Sequence, residues 1–261
     1  MEHVTSTDGT RIAIHETGSG DAVVIVNGAF STARDAEGLA AALAGRGFRA
    51  VTYDRRSRGD SGDERGASPV DPVREVEDLA AVVAAAGADV AVLGHSSGAV
   101  LALFAASRGV PVRHLFLSEP PFHFGEGDPA ADLVDRLQSA VDEGRGADAV
   151  TLFQREAVGL PDEVIEQIRE SPLFDALVPL AQSTVYDATL TRDVSTPTPD
   201  MVGIGFPVTI LCGEQTFPFL AAAARRLGEA MPTAELVVMP ESVMHRLDAD
   251  AAARVTADRL R

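Results

Sequence analysis

A serine set between glycines, where an apolar run gives way to a helical pattern, is a candidate nucleophile. Residues 91 to 106 read AVLGHSSGAVLALFAA, and within them Gly94-His95-Ser96-Ser97-Gly98 fits the Gly-x-Ser-x-Gly pattern. That pattern puts an exposed serine on a sharp turn from a strand into a helix. Glycine on either flank relieves the crowding of such a turn, and the amino end of the helix brings free N–H groups and a positive partial charge toward Ser96. Taken alone, the stretch is equally a tight turn in which two serines are simply small enough to fit.

A serine hydroxyl needs a base to take its proton, an acid to orient that base, and donors for the oxyanion that forms. Of the six histidines, His3 and His15 come early, away from the active end of a parallel sheet. His95 sits inside the turn, His114 lies mid-strand, and His123 follows Pro121. His245, in PESVMHRLD, follows the last expected strand, where a loop can carry its ring over Ser96. The chain order nucleophile, acid, histidine also puts the base last. Ser97, just after the candidate nucleophile, offers one backbone N–H. The run AVVIV is followed by Asn27-Gly28-Ala29-Phe30, where Gly28 permits close approach and the N–H of Ala29 is the natural second donor. Two such donors contribute on the order of 3 kcal/mol each to a transition state. An ordinary loop would also account for either stretch.

The elements that must position these residues alternate. Residues 10–16 alternate apolar and polar as a half-exposed strand, 22–27 form a β-branched run suited to burial on both faces, and FRAVTYD gives a further strand ending at Asp54. A helical pattern between the last two is stopped by Gly45 and Gly47. Helix REVEDLAAVVAAA, strand DVAVLG, a helix from Ser97 and strand 112–118 follow. This rhythm predicts an α/β fold with a mostly parallel, doubly wound sheet, whose ligands sit at the carboxyl ends of the strands. The stretch 55–72 reads as a surface loop, and the charges Asp54, Arg55, Arg56 and Asp60 at its start read as solvated and salt-linked in preference to an anion site. Between Glu119 and about Met201 the pattern becomes consecutive short amphipathic helices with Gly or Pro breaks and no buried-strand signature between them. A core of residues 1–120 and 202–261 with a helical cap inserted over 121–201 is therefore expected. Strands at 206–213 and 234–240, a helix over 217–230 and a closing helix from 248 complete the sheet.

Composition removes several classes of function. All 22 basic residues are arginine, and the formal charge of −17 opposes nucleic acid and anionic membrane as partners. Cys212 is the only cysteine, so neither an intramolecular disulfide nor a cysteine metal cluster can form. Histidine and carboxylates show no metal-ligand spacing, and no phosphate-binding glycine pattern is present, so no cofactor is implied. The start lacks the features of a secretory signal, and no apolar run nears the roughly 20 residues that span a bilayer. The expectation is a cytoplasmic protein with a small-molecule substrate; nothing in the sequence sets an oligomeric state.

The series NGAF, YDRRSRGDSG, GHSSGA, SEPPF, helical segment and late histidine resembles the α/β-hydrolase superfamily over almost the whole chain, in particular small bacterial members with a GHSSGA elbow. The resemblance implies a serine hydrolase with Ser96 as nucleophile, His245 as base, and Ala29 and Ser97 as oxyanion donors. Two positions depart from many members: Asn27 stands where their loop reads His-Gly, and the glycine ending FPVTILCG is followed by Glu214, Gln215 and Thr216 without an aspartate three residues on. Other members place the acid after the preceding strand, here Ser118-Glu119-Pro120-Pro121. Glu119 is the first choice of acid, its backbone stiffened by the prolines; Glu214 is second and Asp187 third. The reaction implied is hydrolysis of a small carboxylic ester, thioester or lactone through an acyl-enzyme. The alternatives are a cyclase, acyltransferase or carbon–carbon bond hydrolase on the same scaffold, or a non-catalytic binding protein.

Overall fold

The computed structural model describes residues 2–64 and 69–261; of the loop expected over 55–72, positions 65–68 lie outside the described residues. Among the described residues, eight strands form one sheet: β1 (Glu2–Thr5), β2 (Arg11–Gly18), β3 (Ala22–Val26), β4 (Arg49–Tyr53), β5 (Ala91–His95), β6 (His114–Ser118), β7 (Val208–Gln215) and β8 (Ala234–Val243). Their order is β1-β2-β4-β3-β5-β6-β7-β8. β1 and β2 pair antiparallel with each other and β2 with β4; every other pair is parallel. This is the mostly parallel α/β-hydrolase sheet that the sequence predicts. β1 was not expected. Its four residues are too few to establish a period, and only pairing with β2, with Glu2 opposite Ile14, makes them a strand.

The β-branched run of β3 is buried at all five positions because helices cover both faces of the sheet. Val24 and Val26 point into a core shared with α2 (Pro72–Ala86), α3 (Ser97–Ser107) and α10 (Pro218–Ala230). Val23 and Ile25 point the other way, against α1 (Glu37–Ala44) and α11 (Ala249–Leu260). The two-residue period of a strand feeds both layers in turn.

Between β6 and β7 the chain forms α4 (Leu133–Asp142), α5 (Gly146–Glu156), α6 (Asp162–Arg169), α7 (Pro172–Leu177), α8 (Ala181–Asp193) and α9 (Pro199–Val202). Between α7 and α8 lies a 3-10 turn, Val178–Leu180, where Pro179 has no N–H to give to a helix ladder. Leu137, Val150, Phe153, Leu177 and Val185 give this segment its own apolar cluster, against which Ala29 and Phe30 pack. No helix among the described residues is long and apolar enough to cross a membrane.

One expectation is overturned. Arg55 and Arg56, with Arg58 two residues on, are each 1% exposed, and Asp54 is 3% exposed; of the charges read as solvated, only Asp60 is exposed. Arg56 makes a bidentate pair with Asp78 of α2, at 2.6 and 2.7 Å, and reaches Asp8 at 2.9 Å. The partners come from distant parts of the chain, so local composition reads as solvent-facing what the tertiary fold buries and pairs.

Candidate active site

Ser96 lies between β5 and α3 with φ 55° and ψ −128°, a conformation costly for a residue that carries a Cβ. It is held from both sides. Its N–H donates to the carbonyl of Ser118 on β6 at 2.9 Å, and its own carbonyl accepts the N–H groups of Ala99 and Val100 at 2.9 and 3.3 Å. The flanking glycines answer to space. A Cβ on Gly98 would collide with the carbonyl oxygens of Val26 and Asn27, and one on Gly94 would lie 2.5 Å from the oxygen of Gly98. Glycine thus lets the start of α3 lie directly on the end of β3.

His245 follows β8 in the left-handed region, with φ 62°, and its ring reaches back over the turn. Its Nδ1 lies 2.5 Å from Oε2 of Glu119, and its Nε2 lies 3.0 Å from Oγ of Ser96. Glu119, just past β6, also has positive φ, 46°, and its Oε1 accepts the N–H of Gly213 at 2.8 Å. Burial by itself raises the pKa of Glu119, but the hydrogen bonds from His245 and Gly213 outweigh it and leave the carboxyl below its ordinary value. An ionised Glu119 can only accept, so the imidazole proton sits on Nδ1 and Nε2 presents its lone pair to the Ser96 hydroxyl. Of the three carboxylates considered from sequence, Glu119 reaches His245. Glu214 is exposed at the end of β7, and Asp187 of α8 is engaged elsewhere.

His95 stands beside this chain without entering it. Its Nδ1 is 3.0 Å from the Ser118 hydroxyl, and its ring centre is 4.7 Å from that of His245. Burial, reinforced by the neighbouring His245, pulls its pKa down to about 3, so it packs as a neutral ring.

Ala29 and Ser97 both line the cavity at Ser96, and among the described residues neither backbone N–H donates to a backbone carbonyl. The Asn27 amide, the departure noted in this loop, donates to the carbonyl of Thr32 at 2.6 Å and closes the loop on itself. A Cβ on Gly28 would stand 2.8 Å from Cβ of Ser96, which is the close approach that the sequence suggested. The cavity measures about 350 Å³ and extends from Ser96 and His245 toward Phe153, Val158, Leu160 and Phe219. Its walls come from the helical segment between β6 and β7 and from the turn into α10. Among the described residues no group of three His, Cys, Asp or Glu is arranged to hold a metal ion.

Sequence reasoning missed the charged layer beneath this cavity. Asp187 is 1% exposed; its Oδ1 accepts from Arg55 at 2.9 Å and from the Ser97 hydroxyl at 2.7 Å, and its Oδ2 accepts from Arg58 at 2.8 Å. Burial alone would raise its pKa, but the two guanidinium groups and the serine hydroxyl bring it below its ordinary value. Arg55 in turn binds Glu75 of α2 through Nε and Nη2 at 2.7 and 2.8 Å. The one signal in the sequence was the density of arginine just after β4.

The comparisons with known proteins identify the family and the fold. The model of the alpha/beta hydrolase family matches residues 23–257. The chain belongs to the alpha/beta hydrolase family. A crystal structure of an alpha/beta hydrolase from Sphaerobacter thermophilus is 37% identical, covers 100% of both chains and superposes with a TM-score of 0.90. An enol-lactonase from Burkholderia xenovorans, 20% identical, covers 99% of each chain at a TM-score of 0.74. An esterase from Exiguobacterium antarcticum, 20% identical, covers 99% of this chain and 97% of its own at 0.67. The last two establish a shared alpha/beta hydrolase fold and nothing finer. No protein of curated function matches the chain in sequence.

Proposed function

We propose that this alpha/beta hydrolase is a serine hydrolase of small, uncharged carboxylic esters, thioesters or lactones. The observation that carries the reading is the line of hydrogen bonds from Ser96 through His245 to Glu119, opening onto an apolar cavity. Ser96 is the nucleophile, His245 the general base and Glu119 the group that fixes the imidazole tautomer and balances its charge. As Oγ of Ser96 bonds to the substrate carbonyl carbon, its proton passes to Nε2, and the carbonyl oxygen becomes an oxyanion facing the N–H groups of Ala29 and Ser97. Collapse of the tetrahedral species expels the alkoxide or thiolate, which leaves with the proton from Nε2. Water then gives a proton to the same nitrogen and adds to the acyl carbon, and the second collapse releases the acid and restores the Ser96 hydroxyl.

The helical segment over 121–201 acts as a cap on the core of 1–120 and 202–261, and its apolar faces shape the acyl or alcohol pocket. The names of the enol-lactonase and the esterase fit the lactone and ester classes. The test is turnover of p-nitrophenyl acetate and butyrate together with labelling by a fluorophosphonate. The wild type turns over and is labelled, and Ser96→Ala does neither. Equal rates for the two proteins would remove Ser96 from the chemistry, and product analysis with added alcohol acceptors separates hydrolysis from acyl transfer.

A further inference from the structure

Arg58 is buried in the loop after β4 and touches two elements that are far apart in sequence. Its Nη1 donates to the carbonyl of Gly28 at 2.6 Å and to that of Ser31 at 3.4 Å, while its Nη2 donates to Asp187 of α8 at 2.8 Å. The carbonyl of Gly28 and the N–H of Ala29 belong to one peptide unit. In a trans peptide these two groups point in opposite directions, so a cation that fixes the carbonyl on the buried side turns the N–H toward Ser96. A guanidinium on the carbonyl also polarises the peptide and makes its N–H a stronger donor. The loop needs such an anchor, because Phe30 stands at φ 57°.

The same carboxylate reaches the other donor. The Ser97 hydroxyl donates to Asp187 at 2.7 Å and accepts from Arg55 at 3.1 Å, and Arg55 also binds the carbonyl of Asn27 at 3.2 Å. Two guanidinium groups, Arg55 and Arg58, face two carboxylates, Glu75 and Asp187, so the buried layer is neutral as a whole. A single carboxylate from the helical segment thereby sits behind both backbone donors.

We infer that Arg58, held by Asp187, is a positioning residue that aims the Ala29 N–H at the developing oxyanion, and that Asp187 does the same for the Ser97 N–H through its hydroxyl. The inference rests on the serine-hydrolase reading above. It makes α8 part of the catalytic framework: the oxyanion site is complete only when that helix is docked on the core.

The experiment compares wild type with Arg58→Lys, Arg58→Gln and Asp187→Asn, using p-nitrophenyl butyrate turnover and inhibition by an alkyl trifluoromethyl ketone, which forms an anionic hemiketal with the serine. Loss of one aimed donor lowers kcat by about 100-fold with KM within about threefold. The inhibition constant for the ketone rises by the same factor as kcat/KM falls, whereas that for the matching methyl ketone, which forms no stable oxyanion, does not move. Lysine, which keeps the charge but cannot bridge the Gly28 carbonyl and Asp187 together, falls between wild type and glutamine. An Arg58→Gln or Asp187→Asn variant whose melting temperature and near-ultraviolet dichroism match wild type while kcat stays within threefold overturns the inference, as does a fall in rate with no change in ketone affinity. If no variant folds, the amide spectrum of the wild type decides: the Ala29 proton moves downfield when the hemiketal forms, and an unmoved Ala29 resonance overturns the inference. Wild-type enzyme that a fluorophosphonate fails to label would instead sink the underlying reading, a distinguishable failure.

Discussion

Replacing Glu119 by glutamine changes one oxygen to an amide and leaves the size of the side chain intact, so its effect isolates the charge and the tautomer. The Gly213 N–H, 2.8 Å from Oε1, dictates how the amide must lie. If the Gln oxygen takes that N–H, the NH₂ group faces His245, Nδ1 must accept, and the imidazole proton moves to Nε2, where it can no longer receive the Ser96 proton. If the amide is turned over, two donors meet at Gly213 in a buried site, which costs about 1–3 kcal/mol, and the imidazolium formed in the reaction still lacks its counter-charge. At an effective dielectric of about 20, a charge pair at the 2.5 Å separation of His245 and Glu119 attracts by about 6–7 kcal/mol. The loss of an orienting carboxylate in a comparable triad costs about 10⁴-fold in kcat, or about 5.4 kcal/mol, the same order. Glu119→Gln should therefore lower kcat for p-nitrophenyl butyrate by about 10³- to 10⁴-fold with KM little altered. Glu214→Gln, an exposed change, should leave both near wild type. Stopped-flow and steady-state assays on proteins of matched melting temperature measure this. A loss below tenfold in Glu119→Gln, or a larger loss in Glu214→Gln, would refute the assignment of the acid.

Three further predictions concern stability and specificity. Burial, with Arg259 and Arg113 adding to it, lowers the pKa of His114 from 6.5 to about 4. The unfolded chain therefore takes up a proton that the folded chain refuses, and stability is lost as pH falls from about 6.5 toward 4. At about 1.4 kcal/mol per pH unit, the difference is about 3 kcal/mol. His114→Gln, which can keep the bond to Thr209, should flatten that acid limb in urea titrations between pH 7 and 4; an unchanged limb would assign the loss to other groups. Gly98→Ala should cost well over 3 kcal/mol or abolish soluble expression, because its methyl group meets the carbonyls of Val26 and Asn27; a melting temperature near wild type would contradict the packing described. Leu160→Phe fills part of the cavity and should lower kcat/KM for p-nitrophenyl hexanoate relative to acetate by tenfold or more, about 1–3 kcal/mol. An unchanged ratio would place the acyl chain elsewhere.

What the sequence determined by itself was local. The continuous β-branched run AVVIV, the alternation of strand and helix, and the glycines around Ser96 are each local features of the chain, so the sheet and the sharp turn at Ser96 could be read from the chain. His245 was legible for a related reason, since its place after the last strand puts it at the sheet's active end. The carboxylate that faces His245 was narrowed to three with Glu119 ranked first, and could not be fixed from sequence, because reaching the imidazole depends on β6, β7 and the end of β8 lying side by side. The burial of the charged loop was misread. Arg55, Arg56 and Arg58 look solvated when their neighbours are Ser, Gly and Asp, but α2 and α8 bring Glu75, Asp78 and Asp187 onto them from 20 or more residues away. Burying a guanidinium is unfavourable until a carboxylate meets it in the right geometry. That meeting is a property of the tertiary fold, and it is there that the Arg58–Asp187 anchor behind the Ala29 and Ser97 N–H groups arises.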